Sequence, residues 1–90
     1  MNEDQFRQEL RKRGYPEAQI REFEPNLDKE MHTHDQSAMA LVTRGALTLV
    51  LERESTTYKP GEWCELVAGT LHTERTGASG ATVLLAYKRP

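Results

Sequence analysis

The stretch Met31-His32-Thr33-His34-Asp35 holds two of the three histidines in this chain of 90 residues. Its surroundings favour β-structure, and we predict a strand over residues 31–34. Successive side chains of a strand point to opposite faces, so His32 and His34 would share a face, with backbones about 6.6 Å apart. Two imidazoles at that spacing can bind one ion, because each metal–nitrogen bond is about 2.0–2.1 Å long. The stretch therefore indicates a metal site on a β-scaffold.

The start of the chain predicts a short helix over residues 2–13. Asn2 followed by Gln5 is typical of a capping box, in which each residue bonds the backbone of the other. Phe6 and Leu10 form the apolar stripe of this helix. Such a stripe is too small for an isolated helix, so we expect the helix to lie on a sheet.

Beyond the helix, apolar and polar residues alternate with a period near two almost to the end of the chain. Many short strands separated by glycine- and proline-rich turns predict a sandwich or barrel. We expect Ile20 and Phe23 of the first strand to be covered, and a hairpin turn over residues 77–80. The helix and turn of residues 1–18 would pack on a barrel of residues 19–90. The strands are predicted at 19–24, 31–34, 38–43, 47–51, 57–59, 62–67, 71–75 and 82–88.

Composition limits the function classes. The net charge of −2 provides no basic stripe for a phosphate backbone, which disfavours nucleic acid. No apolar run approaches the roughly 20 residues of a membrane span. The polar start carries no secretory signal and Cys64 is the single cysteine, so we expect a cytoplasmic protein without a disulfide.

The small size of the chain favours self-association. A chain this short buries only about 60–65% of its unfolded surface, so pairing as a homodimer would add to a modest core. Trp63 would mark the dimer contact if it faces outward and would belong to the core if it faces inward.

The histidine pair belongs to a longer pattern, since Gly45 follows His34 by eleven residues. This layout resembles the first motif of the cupin family. In that motif two histidines one residue apart are followed by a glutamate three or four residues later and by a glycine seven residues beyond it. Ala38, or Met39 at the longer spacing, stands at the glutamate position, so the family's usual carboxylate ligand is missing.

A second segment matches the family's second motif at Gly61, Gly69 and His72. Val67 stands where the family has a proline, and the motif's later asparagine is absent. The resemblance covers residues 20–88. It implies an all-β fold, a small jelly-roll β-barrel in which the two motifs meet.

The resemblance also implies a metal inside the barrel, held by His32, His34 and His72 and reached from one open end. Imidazole ligands are compatible with zinc, iron, nickel, manganese or copper, and the sequence does not separate these ions. Glu74 follows His72 by two residues, so on a strand both would face the same way. Glu74 is therefore a candidate fourth ligand, hydrogen-bond partner of a ligating imidazole, or general base. A bend after His72 would instead leave Glu74 at the solvent mouth.

Met39, Cys64 and Tyr87 are candidate pocket residues by alternation, with core packing as the alternative role. Cys64 would need a depressed pKa to act in catalysis. The leading hypothesis is a metal-binding cupin that binds a small organic ligand and acts as a metal-dependent oxygenase, isomerase or lyase. The alternatives are a non-catalytic module that senses or binds a small molecule or metal, and a metal-free structural domain.

Overall fold

The computed structural model describes residues 1–89. Within these residues one helix is followed by five strands, and every strand pairing is antiparallel. The strand order is β1-β5-β2-β3, and β4 also pairs with β2. The elements are α1 Glu3–Lys12, β1 Gln19–Phe23, β2 Ser37–Val50, β3 Ser55–Tyr58, β4 Trp63–Leu66 and β5 Thr73–Lys88.

The predicted helix and its cap are confirmed. The side-chain oxygen of Asn2 accepts a hydrogen bond from the Gln5 backbone at 2.8 Å, and the Gln5 side chain accepts one from the Asn2 backbone at 2.9 Å. Phe6 and Leu10 are buried. The helix therefore covers part of the sheet with its apolar stripe. No helix in residues 1–89 is both long and apolar enough to cross a bilayer.

Alternation along β2 and β5 divides the apolar side chains between two cores. The helix-side core lies between α1 and the sheet, and Trp63 packs against it with the Arg13 guanidinium 5.0 Å from its ring centroid. Trp63 thus contributes to the core, which was one of its two predicted roles. The helix-side core comprises Phe6, Leu10, Tyr15, Met39, Leu41, Leu84 and Ala86. The inner core comprises Ala40, Val42, Leu47, Ala81 and Val83.

β2 and β5 are longer than predicted. β2 continues through Gly45, where we expected one strand to end, and β5 runs through residues 77–80, where the predicted hairpin turn is wrong. The register between the two strands shifts at Gly45. A Cβ atom on Gly45 would lie 2.2 Å from the carbonyl oxygen of Gly80, so the backbones approach more closely than a side chain permits. These glycines make a bulge in two paired strands, and neither strand reverses there.

The segment that carries the histidine pair is not a strand, contrary to the prediction for residues 31–34. It meets the start of β5 through isolated bridges between Asp28 and Arg75 and between His32 and His72. His32 lies four positions after Asp28, whereas Arg75 lies three positions after His72. This unequal count prevents a regular ladder between the two bridges.

β1 occupies an end of the strand order and pairs with β5. Phe23 is half-buried and packs against the inner core, as expected. Ile20, which we expected to be covered, is 73% exposed. The reason is its position on the outer face of an edge strand.

Candidate metal centre

The three histidine rings lie against one another. Their centroids are 4.9 Å apart for His32 and His34, 4.6 Å for His32 and His72, and 5.2 Å for His34 and His72. Glu74 joins them, and one potential ligand atom from each of the four residues lies within 4.8 Å of the others. The structure therefore brings together all four residues that the sequence analysis named as candidate ligands, in a cluster that could hold a metal ion.

Backbone hydrogen bonds hold the two parts of this cluster together. The amide of His32 donates to the carbonyl of His72 at 2.7 Å, and the amide of His72 donates to the carbonyl of His32 at 2.9 Å. The carbonyl of His34 accepts a bond from Gly69 at 2.8 Å. Glu74 is the second residue of β5 and pairs with Leu49 of β2. The histidine pair is thus fixed by bonds to the chain before β5 although it lies outside a strand.

Hydrogen bonds also select the tautomer of two neutral rings. Nδ1 of His32 is 2.9 Å from the Glu30 carbonyl oxygen, and Nδ1 of His72 is 2.8 Å from the Thr70 carbonyl oxygen. A carbonyl oxygen only accepts, so each Nδ1 donates, and in the neutral ring Nε2 then presents a lone pair. Metal-ligating histidines usually donate their other ring N–H to a carbonyl or carboxylate in this way. Both rings are therefore prepared to bind a cation through Nε2.

The Nε2 atom of His72 has no hydrogen-bond partner within residues 1–89, although the side chain is only 1% exposed. The Glu74 carboxylate oxygens lie 3.4 Å from this atom and 3.6 Å from Nε2 of His32. Both distances exceed the usual N–H···O separation of about 2.9–3.0 Å. A buried lone pair that faces a carboxylate is unfavourable unless a cation lies between them.

The same distances fit coordination. Ligand atoms about 2.0–2.2 Å from a tetrahedral ion lie roughly 3.3–3.6 Å from one another. One oxygen of Glu74 lies 3.4 Å from Nε2 of His72 and the other lies 3.6 Å from Nε2 of His32, whereas the four candidate ligand atoms as a set lie within 4.8 Å of one another. The residues present therefore fit a metal ion by donor type and by the tautomer of two rings, and their ligand atoms face one shared space.

The cluster opens onto a cavity of about 160 Å³. A smaller space of about 40 Å³ shares Phe23, Glu74 and Tyr87 with it and also reaches Cys64. Cys64 and Tyr87 thus line the space beside the cluster, where alternation had placed them. The lining of the larger cavity consists of Arg21, Phe23, Leu27, Lys29, His32, His34, Glu74 and Tyr87.

Met39 is not brought to this site. It is fully buried in the helix-side core, whereas its neighbours Ala38 and Ala40 line the smaller cavity. Adjacent residues of a strand face opposite sides, so Met39 cannot share the cavity with them. The prediction that Met39 is a pocket residue is wrong, because Met39 lies on the face of β2 opposite the cavity.

Cys64 is half-buried, and burial raises the pKa of its thiol to about 11. The thiolate is the nucleophilic form of cysteine, so a raised pKa disfavours covalent catalysis by this residue. The condition that we set for a catalytic Cys64, a depressed pKa, is not met.

Arg21 and Lys29 line the cavity but were missed by the sequence analysis. Arg21 lies two residues before Phe23 on β1, and this spacing places both on one face of the strand. Alternation could therefore have identified Arg21. Lys29 lies in an irregular segment that has no such period.

No protein-family model and no curated protein matches the chain in sequence. Solved structures do match it. A Rhizobium leguminosarum protein of unknown function has a TM-score of 0.72 at 21% identity, covering 81% of this chain and 71% of that one. A cupin-2 domain containing protein from Shewanella frigidimarina has a TM-score of 0.64 at 16% identity, covering 81% and 69%.

A DMSP lyase has a TM-score of 0.68 at 20% identity. The match covers 77% of this chain but only 36% of the lyase. The chain thus spans about a third of that enzyme. Together with the antiparallel sheet and the short N-terminal helix, these similarities show that the chain has the fold of a small cupin β-barrel. This fold class is the predicted one.

Proposed function

We propose that this small cupin-fold protein holds one divalent transition-metal ion with His32, His34, His72 and Glu74, and binds a small organic ligand beside it. The observation that carries the proposal is the buried Nε2 of His72, which has no hydrogen-bond partner within residues 1–89 and lies 3.4 Å from a carboxylate oxygen. Imidazole and carboxylate donors are compatible with zinc, iron, nickel, manganese and copper. When bound, such an ion supplies a Lewis acid that polarises a ligand oxygen.

The chain's own residues would position the ligand and exclude water. Phe23, Leu27 and Tyr87 line the same cavity as His34 and Glu74. Glu74 has two oxygens, so one can contact the ion while the other accepts a proton from the ligand. This arrangement supports oxygenase, isomerase or lyase chemistry. Of these we would test elimination first, because a DMSP lyase has a similar fold.

Metal analysis tests the centre. The protein would be stripped with a chelator, reloaded with each of the five ions in turn and dialysed, and bound metal would be measured by mass spectrometry. We expect one equivalent in the wild type and loss of that equivalent in His34→Ala and His72→Ala. His34 is exposed, so its replacement leaves no buried void and the folded variant remains testable if His72→Ala unfolds.

Cys64→Ser is the matched control, because the thiol is another metal-binding group beside the cavity. This variant should retain the full equivalent. A folded wild-type protein that retains none of the five ions would overturn the proposal. With the metal bound, turnover of a sulfur-containing or keto acid that is abolished in Glu74→Gln would establish catalysis, and binding without turnover would establish a sensing or binding module.

A further inference from the structure

We infer that the ligand bound beside this centre is a small carboxylate, held by Arg21 and Lys29. The inference rests on the proposed metal centre and names the class of ligand that the centre would take. It is carried by two cationic side chains in the cavity lining and by the size and polarity of that lining.

Arg21 and Lys29 line the cavity together with His32, His34 and Glu74. Neither cation belongs to any of the salt bridges formed within residues 1–89. The guanidinium carbon of Arg21 lies 5.1 Å from the ring centroid of Phe23, another lining residue. Stacking on an aromatic ring holds a guanidinium without neutralising its charge, so its donors remain free for an anion.

The charge of the loaded site favours an anion. The three histidines are counted as neutral ligands, and Glu74 contributes the negative charge among the lining residues. A divalent ion together with Arg21 and Lys29 outweighs that single carboxylate. A neutral ligand would leave the two cations without a partner, whereas a carboxylate can accept bidentate hydrogen bonds from the guanidinium.

The cavity limits the size and chemistry of the anion. Its volume of about 160 Å³ suits a small ligand. Phe23 and Leu27 give part of the lining an apolar character. Because burying a polar group against apolar surface is costly, contact with these two side chains would favour a ligand with a carbon skeleton over a fully polar phosphate.

Calorimetric titration tests the inference on protein loaded with the ion that it retains best in the metal assay. The probes are glycolate, its neutral amide and inorganic phosphate. We expect glycolate to bind at least about tenfold more tightly than either of the others, since a hydrogen bond to a charged group contributes enough for such a factor. Arg21→Gln and Lys29→Gln should each weaken glycolate binding about tenfold while the bound metal stays at one equivalent.

Lys59→Gln is the matched control, because Lys59 is an exposed cation in the turn between β3 and β4 and does not line the cavity. Its glycolate affinity should equal that of the wild type. Equal affinity for glycolate and its amide, tighter binding of phosphate, or unchanged glycolate affinity in a metal-loaded Arg21→Gln/Lys29→Gln double variant would each overturn the inference. Failure to retain metal is a separate result, which would overturn the proposed centre itself.

Discussion

One face of the β2 and β5 strands packs against the helix, and the other face borders the space beside the histidines. Met39 and Leu41 of β2 are buried against α1, whereas Ala38 and Ala40 line the space beside the histidines. The two sets alternate along one strand, so a single step along the chain moves a side chain from the helix-side core to the cavity. The difference teaches that the packing that stabilises the protein and the proposed ligand binding use alternate positions of the same strands.

The polar groups of the two faces also differ. On the helix side, Glu65 accepts hydrogen bonds from the Tyr15 hydroxyl at 2.7 Å and from the Arg13 guanidinium, and the Lys88 ammonium lies 4.6 Å from the Tyr15 ring centroid. On the cavity side, a buried imidazole nitrogen of His72 has no partner within residues 1–89. Buried polar groups are nearly always paired in folded proteins, and the proposed metal ion would supply the partner that this nitrogen lacks.

The largest expected effect comes from truncating a phenyl ring on each face. Phe6→Ala should lower the free energy of unfolding by about 3–5 kcal/mol, because Phe6 is fully buried in the helix-side core. Phe23→Ala should cost less, because Phe23 is half-buried and borders a cavity, but it should weaken ligand binding. Urea unfolding measures the free energy of unfolding, and calorimetric titration measures ligand binding.

These two residues are the only phenylalanines in the chain, which makes the pair a matched test. Folded Phe6→Ala should retain one equivalent of metal. Equal losses of stability in the two variants, or loss of the metal from folded Phe6→Ala, would contradict the separation of the two faces.

Local patterns predicted the elements that local interactions determine. The capping box of Asn2 and Gln5 formed, and alternation correctly placed Tyr87 beside the cavity, on the face of β5 that also carries Val83 and Leu85. The ends of β2 and β5 were not predicted. A glycine in a turn and a glycine in a bulge look alike in sequence, and the contact between Gly45 and Gly80 that distinguishes them joins positions distant in the chain.

The candidate site was predictable only in part, because contacts between distant segments place some of its residues. The resemblance to the cupin motifs placed His32 and His34 with His72, and the two-residue spacing added Glu74. The strand assigned to the histidine pair was wrong, because the unequal bridge spacing that prevents it is a property of two distant segments. Lys29 lies in the same irregular segment, where no periodicity indicates which way a side chain points.

Replacing Glu65, whose carboxylate is hydrogen-bonded on the helix side, should change the free energy of unfolding by an intermediate amount. The hydrogen bond from Tyr15, together with Arg13, holds the pKa of Glu65 below its usual value of 4.5. A lowered pKa in the folded state stabilises the protein above the unfolded pKa, and this contribution is lost as the pH falls through the folded pKa. Glu65→Gln should therefore cost about 1 kcal/mol at neutral pH and progressively less below about pH 4.5.

Thermal unfolding of the wild type and Glu65→Gln between about pH 7 and about pH 3 measures this difference. Glu52→Gln, at an exposed position after β2, is the matched control and should follow the wild type throughout. A difference between wild type and Glu65→Gln that does not shrink in acid would mean that the charge of Glu65 is not what stabilises the helix side.

The smallest effect is tested on the wild-type protein, by measuring how fast the Cys64 thiol is labelled. Cys64 lies on β4 between Trp63 and Glu65, which face the helix side, so alternation turns its thiol toward the cavity. Burial raises its pKa from 9.0 to about 11, which lowers the thiolate fraction at pH 8 by about a hundredfold. Iodoacetamide labelling of the folded protein, followed by mass spectrometry, should be slower than labelling of the urea-unfolded chain by about that factor and should still accelerate above pH 9. Equal rates in the folded and unfolded states would show that the thiol is freely solvated, and the division of β4 between the two faces would then fail.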